Sequence, residues 1–322
     1  MSALADAFLA LPPRRNPHAA AAGAHVDAWV GGHGLVQREA VRLRFAETDF
    51  GAFAAATYPA ADAPGLELVT DWLAWLFLLD DLLDDGALGR SPEQLSALLT
   101  AIMAVLAGRA PEAGAAPIVH ALDDLWRRTA PGTGEVWRHR FTGHATQCAL
   151  AVVWEVDNRV RGVVPSEAEY LERRRHTGAI YPCMDLIEVV EGIELPDAVY
   201  RSGPFTRALD AACDVVCWTN DLVSLDKEVA LGEYHNLVVL LEHWRGIDRG
   251  DALELGRARA AERLREFHGA EAEVLAAHHG HRAELATYLA GMRSWMRGHL
   301  DWSASSGRYR LPVTDAVAGE RI

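Results

Sequence analysis

Nearly every stretch between the glycine and proline breaks of this chain carries apolar residues three and four apart, set among Ala, Leu, Glu and Arg. That is the period of a half-buried helix, not of a strand, and alternating β patterns are scarce. Breaks near Gly31, Pro59, Gly86, Gly108, Pro131, Gly162, Gly192, Gly203, Gly246 and Gly307 divide the pattern into about ten expected helices. Some starts are written in cap chemistry. Ser91 stands before Pro92, and Ser166 with Glu169 forms a capping box. No repeat, low-complexity linker or composition shift divides the chain, so the expectation is one all-α domain over residues 1–322. Residues 1–20 read as an N-terminal arm, extended around Pro12, Pro13 and Pro17.

Composition narrows the function classes. The chain has 322 residues, half of them hydrophobic and 24% charged, a globular balance. Its net charge of −14 argues against a nucleic-acid partner, which would need clustered Lys and Arg. Cys148, Cys183, Cys213 and Cys217 contain no C-x-x-C pair and read as buried thiols. The first twelve residues carry Asp6 and no basic cluster, unlike a secretory signal. The longest apolar run, Trp72 to Leu79, falls far short of the ~20 residues of a membrane span. No membrane insertion and a cytoplasmic location are therefore expected.

Two acidic clusters carry chemistry. The apolar run from Trp72 ends in Asp80, Asp81, Asp84 and Asp85, just before Gly86. Helical spacing puts Asp80 over Asp84 and Asp81 over Asp85, so like charges face each other at a helix C-terminus, where the macrodipole is also unfavourable to anions. A hard divalent cation such as Mg²⁺, completed by substrate phosphate, would relieve this; a solvated acidic helix end is the plainer alternative. In the second cluster Asn220, Ser224 and Glu228 are spaced four apart. An amide, a hydroxyl and a carboxylate then line one helical face over about 12 Å. All three are oxygen ligands suited to a divalent cation, and the alternative is the polar face of a surface helix.

In combination these residues resemble the bacterial class I terpene synthases. That family carries an aspartate-rich D-D-x-x-D/E motif, matched by Asp80, Asp81 and Asp84, and an N-D-x-x-S-x-x-K-E motif, matched by Asn220, Asp221, Ser224, Lys227 and Glu228. The resemblance extends to an arginine diphosphate sensor, Arg174, which lies 46 residues before Asn220, with Thr177 as linker and Gly178 as the effector position in a helix interruption running to Pro182. A C-terminal Arg308-Tyr309 pair follows Trp302. Alone, the basic run Arg173 to Arg175 would read as a solvated face, and an Arg-Tyr pair means little. In this order the four features cover essentially the whole chain.

The resemblance implies an all-α class I terpenoid synthase-like bundle around a central cavity, with residues 308–322 closing over it. It implies a Mg²⁺-dependent cyclase that ionises a linear isoprenoid diphosphate and releases diphosphate. Three Mg²⁺ ions would be held by Asp80, with Asp84, and by Asn220, Ser224 and Glu228, while Arg174, Lys227, Arg308 and Tyr309 grip the diphosphate. Phe77, Tyr181, Trp218 and Trp302 are the aromatic candidates for a cavity that shelters the cation. Farnesyl diphosphate is the expected substrate and geranylgeranyl diphosphate the alternative; a homodimer is a family-level expectation. Chain-elongating and head-to-head synthases would need a second Asp-rich helix where Asn220, Ser224 and Glu228 stand. A catalytically silent diphosphate-binding protein is the remaining reading from another class.

Overall fold

A computed structural model of the chain describes residues 3–84 and 91–309. Within them lie α1 (Ala3–Phe8), α2 (Ala19–Gly32), α3 (Glu39–Thr48), α4 (Phe50–Thr57), α5 (Ala63–Asp84), α6 (Pro92–Leu106), α7 (Pro117–Thr129) and α8 (Glu135–Arg161). There follow α9 (Glu167–Thr177), α10 (Ile180–Glu191), α11 (Asp197–Tyr200), α12 (Gly203–Leu231), α13 (Leu237–Arg245), α14 (Arg249–Ala277) and α15 (Arg282–Ser305), and then a short 3₁₀ turn, Gly307–Tyr309. No strand occurs among the described residues.

Fifteen helical segments among the described residues exceed the ten expected: two breaks, at Asp49 and Ala179, carry no glycine or proline at the turning residue, α1 forms within the arm, and Gly232 and Gly280 mark two further breaks. Asp49 takes φ +53 between α3 and α4, and its side chain repays the strain by accepting the Ala52 N–H at 3.0 Å. Ala179 takes φ +53 between α9 and α10. This corrects the extent of the expected interruption. The break is confined to Gly178 and Ala179, and Pro182 sits in the first turn of α10, where a missing N–H removes no ladder bond. The arm is also partly helical: α1 packs on α14, and beyond it Asn16 is tied by its N–H to Ala55 O at 2.9 Å.

Cap chemistry read from the sequence is present where the helices begin. Ser166 and Glu169 exchange bonds at 3.3 and 3.0 Å at the start of α9, and Ser91 caps α6 through the Gln94 N–H at 3.4 Å. Such caps are worth roughly 1 kcal/mol each.

The long helix α12 is the axis of the fold. It packs along α14 and against α15, α9, α10 and α13, and its residues from Ala211 to Thr219 are all buried. Two helices cross at contact distance where α15 meets α4, since a Cβ at Gly298 would overlap the Ala56 carbonyl. That crossing brings Phe53 and Trp295 together edge to face at 5.6 Å. Beyond the Gly178 break, α10 is fixed by a buried network. Asp185 accepts from Arg140 at 3.2 Å and Tyr200 at 2.9 Å, and Arg140 also pairs with Glu188. No helix among the described residues is long and apolar enough to cross a membrane.

Candidate active site

Helices α4, α5, α8, α9, α10, α12 and α15 and the 3₁₀ turn enclose a cavity of about 610 Å³. Its inner end is apolar, formed by Phe53, Leu73, Phe77, Ile180, Val216 and Trp295. Its outer end collects Asp80, Arg174, Asn220, Ser224, Lys227, Glu228, Arg308 and Tyr309. The two clusters, 140 residues apart in sequence, line one space because α5 and α12 both point their C-terminal ends at it.

On α5 the acids are met by an arginine. Arg308 donates from one nitrogen to Asp80 Oδ2 at 3.1 Å and to Asp81 Oδ1 at 3.1 Å, and from another to Asp81 Oδ2 at 3.3 Å, with its guanidinium 4.4 Å above the Phe77 ring. The Asp80 carboxyl is held above its ordinary range, first by surrounding protein and then by Asp81, with Arg308 opposing, although its side chain is 56% exposed through the mouth. The exposed fraction shows that the carboxylate meets water at the mouth, so the rise is small in effect and Arg308 remains its main partner. Asp84 ends α5 and its side chain, like Asp85, lies outside the described residues.

On α12 the polar face is ordered by hydrogen bonds. Arg174 donates to Asp221 Oδ1 at 2.9 Å through Nε and to Asn220 Oδ1 at 2.9 Å through NH2. Asn220 in turn donates to the Tyr309 hydroxyl at 2.8 Å, and Ser224 donates to the Asn220 carbonyl at 2.8 Å. Asp221 is fully buried and accepts from Tyr170 at 2.5 Å and from the Leu237 N–H at 3.1 Å, so it is committed to holding Arg174 and the start of α13. Glu228 accepts from Asn236 at 2.8 Å, and burial followed by repulsion from Asp221 pushes its carboxyl up to about 7.

A divalent cation fits this donor set. Glu228 is an acid lining the cavity beside Ser224 and Asn220, whose neutral oxygens lie on the same helix face, so the three are a hard oxygen donor set. Asp80 is the corresponding acid on α5. Among the described residues no three His, Cys, Asp or Glu side chains converge on one point.

The three consecutive arginines separate in space. Arg173 lies over the Trp154 ring at 5.3 Å and Arg175 pairs with Asp214 at 2.5 Å, while Arg174 lines the cavity. Thr177 and Gly178 line it too. Gly178 is required by packing: a Cβ there would stand 2.8 Å from Cys217 Sγ. The Cys217 thiol donates to the Arg174 carbonyl at 3.4 Å, and burial pushes it up to about 12, so it stays protonated and weakly nucleophilic.

Of the four aromatic candidates, Phe77 lines the cavity and three do not. Trp302 stacks on Phe53 at 4.0 Å and meets Phe77 edge-on at 5.8 Å, forming a second layer, with its indole N–H on Thr48 O at 2.8 Å. Tyr181 is sandwiched between His144 and His176, each at 5.0 Å, and donates to Asp210 at 2.6 Å. Trp218 is buried away from the cavity. At about 100° per residue it points opposite the face carrying Val216, Asn220, Ser224 and Lys227. The wall instead takes Phe53, Trp295 and His299, which lie in no motif, together with Glu155. Burial pushes neutral His299 down to about 3, so it adds no charge to the apolar end.

A helical bundle whose apolar pocket opens onto paired acidic helix ends and a set of arginines defines an enzyme built for an amphipathic, anionic substrate. Comparison with known proteins identifies which. Residues 71–266 match the family model "Terpene synthase family 2, C-terminal metal binding". The chain is 37% identical over 306 residues to (−)-delta-cadinene synthase of Streptomyces clavuligerus, covering 93% of each protein. It is 33% identical to a (+)-T-muurolol synthase of Roseiflexus castenholzii that cyclises (2E,6E)-farnesyl diphosphate, covering 91% of this chain and 90% of the relative. The crystal structure of linalool/nerolidol synthase from Streptomyces clavuligerus superimposes with a TM-score of 0.83 at 28% identity, over 91% of this chain and 98% of that one. The chain belongs to the terpene synthase family, carbon–oxygen lyases that act on phosphates.

Proposed function

We propose that this chain ionises farnesyl diphosphate and cyclises the resulting cation to a sesquiterpene hydrocarbon or alcohol. One observation carries the reading: a single cavity of about 610 Å³ joins an aromatic-lined apolar end to a mouth where Asp80, Asn220, Ser224 and Glu228 meet Arg174, Lys227, Arg308 and Tyr309. The volume falls in the range of small-molecule sites, roughly 300–1,000 Å³. The C15 length is supported by the (2E,6E)-farnesyl diphosphate that the Roseiflexus relative cyclises.

Asp80 on α5 and Asn220, Ser224 and Glu228 on α12 are the residues that would hold Mg²⁺, three ions by family resemblance, with Asp84 as a further candidate. Bound there, the ions supply charge to stabilise the departing diphosphate. The chain's own cations do the rest of that work. Arg174 and Arg308 stand on Asn220, Asp80 and Asp81, and an arriving diphosphate exchanges these contacts for its own oxygens. That exchange frees the amide and carboxylate oxygens for ligation. Lys227 and the Tyr309 hydroxyl complete the grip. The apolar end offers π-faces from Phe53, Phe77 and Trp295, with protonated thiols and neutral His299 at its polar points. The protein acts on its own substrate without nucleic acid, and the family resemblance supports a homodimer.

The test is incubation of purified protein with the C10, C15, C20 and C25 linear diphosphates, with Mg²⁺ or with EDTA, followed by gas chromatography and mass detection. A Mg²⁺-dependent cyclic product from the C15 substrate is expected. A cyclic product from the C20 substrate alone would overturn the chain length, and no conversion of any substrate would overturn the reading itself.

A further inference from the structure

Glu228 stands one turn before the end of α12, and the residue that holds its carboxylate comes from beyond that end. The chain leaves α12 through Gly232, whose φ of +76 suits a residue without Cβ, and the Glu233 N–H returns to the Glu228 carbonyl at 2.9 Å. Glu233 then gathers the turn. One of its oxygens accepts the Tyr234 and His235 N–H groups, each at 2.8 Å, and the other accepts from Arg159 of α8 at 2.6 Å. The turn is thereby pinned to α8, and it brings Asn236 back beside Glu228.

Asn236 is fully buried, and both polar atoms of its side chain are committed. The amide nitrogen donates to the Asp221 carbonyl at 2.8 Å and to Glu228 Oε2 at 2.8 Å. The amide oxygen accepts the Val238 N–H at 2.8 Å and so caps α13. The Asp221 carbonyl can only accept and the Val238 N–H can only donate, which fixes which way the amide faces. Holding Oε2 sets the plane of the whole Glu228 carboxylate relative to Asn220 and Ser224 on the same face of α12. A glutamate already held in this way loses less rotamer freedom when a cation arrives. Asn236 itself lies behind the wall and does not line the cavity.

On the reading that Glu228 ligates a divalent cation, we propose that Asn236 is a positioning residue for that ion: it orients the Glu228 carboxylate and ties that orientation to the turn between α12 and α13. The motif on α12 supplies the ligand, and a buried amide eight residues further on aims it.

Thermal melts of wild type, Asn236→Ser, Asn236→Thr, Glu228→Gln and the Asn236→Ser/Glu228→Gln double variant test this, run with a fixed concentration of inorganic diphosphate in EDTA and across a Mg²⁺ series. Ser and Thr keep a cap acceptor for α13 but stop a bond short of Glu228. Each variant's rise in Tm is measured from its own value in EDTA, so a merely structural role lowers that baseline and leaves the Mg²⁺ response alone. Asn236→Ser and Asn236→Thr are expected to need roughly tenfold more Mg²⁺ than wild type for the same rise. In the Glu228→Gln background, Asn236→Ser should shift the requirement by less than about twofold, because the group it acts through is gone. An unshifted requirement in both single variants, or an equal shift with and without the Glu228 carboxylate, would overturn the inference. Loss of any folding transition in both would also overturn it, by making Asn236 a requirement of the fold itself. No Mg²⁺-dependent rise in wild type would instead overturn the reading of Glu228 as a metal ligand.

Discussion

Arg174 and Asn220, 46 residues apart, share a 2.9 Å hydrogen bond from the guanidinium to the amide oxygen. One is a diphosphate-binding candidate and the other a metal-ligand candidate, and each is satisfied by the other. The same holds across the cavity for Arg308 with Asp80 and Asp81. Arg308 is thus paired with two carboxylates and Arg174 with the Asp221 carboxylate and a neutral amide, and on the proposed function an arriving diphosphate would replace these partners one for one.

Asn220→Ala and Asp80→Ala are expected to lower turnover by roughly a hundredfold or more while far-UV circular dichroism stays unchanged. Each removes an oxygen donor at the mouth and leaves the apolar core untouched. Product formation by gas chromatography reads the outcome, and near-normal kcat in either variant would remove that residue from the metal site.

Arg174→Ala is expected to impair diphosphate release far more than Arg173→Ala or Arg175→Ala. Arg173 lies over Trp154, and Asp214, the partner of Arg175, keeps Arg263 at 2.8 Å when Arg175 is removed. Asp221 would keep no such second cation, so Arg174→Ala also costs about 3 kcal/mol of stability, read by urea unfolding. Equal kinetic effects among the three variants would show that the arginine run acts only as a charged surface.

Gly178→Ala would place a methyl 2.8 Å from Cys217 Sγ, in the seam between α9 and α12. A loss of about 1–3 kcal/mol is expected from overpacking. Adding Cys217→Ala should recover part of it, because the obstructing sulfur is gone. Thermal melts of the single and double variants measure the coupling, and purely additive losses would place the strain elsewhere.

Glu228 gives a pH signature in chelator. Its folded-state value of about 7 lies above the ordinary 4.5, so the folded chain binds the proton more tightly than the unfolded one. Stability from this group is therefore fully present below the unfolded value and is lost as pH rises from about 4.5 to about 7. Tm measured in EDTA should carry this slope in wild type and lose it in Glu228→Gln. Mg²⁺ with diphosphate should restore stability most above pH 7, where the carboxylate is ionised and free to bind a cation. Identical slopes in wild type and Glu228→Gln would exclude the residue as the source.

Local chemistry in the sequence determined the helical class, the capping of α6 and α9, and which polar residues share the inner face of α12. Helical period and cap rules act within a few residues, so Asn220, Ser224 and Glu228 could be aligned without knowing what packs against them. Family resemblance then singled out Arg174 from its neighbours. Tertiary structure decided everything that depends on how one helix face meets another. It turned Tyr181 toward Asp210, set Trp302 behind Phe53 and Phe77, and brought Trp295, His299 and Glu155 to the cavity wall. Aromatic residues bury equally well in a core or a cavity wall; for Trp302 and Tyr181 the crossing of α15 on α4 at Gly298 and the turn at Ala179 bear on the outcome, while Trp218 follows from its face of α12. The commitment of Asp221 to Arg174 and Tyr170 was hidden for the same reason: its partners lie on α9, brought near by packing.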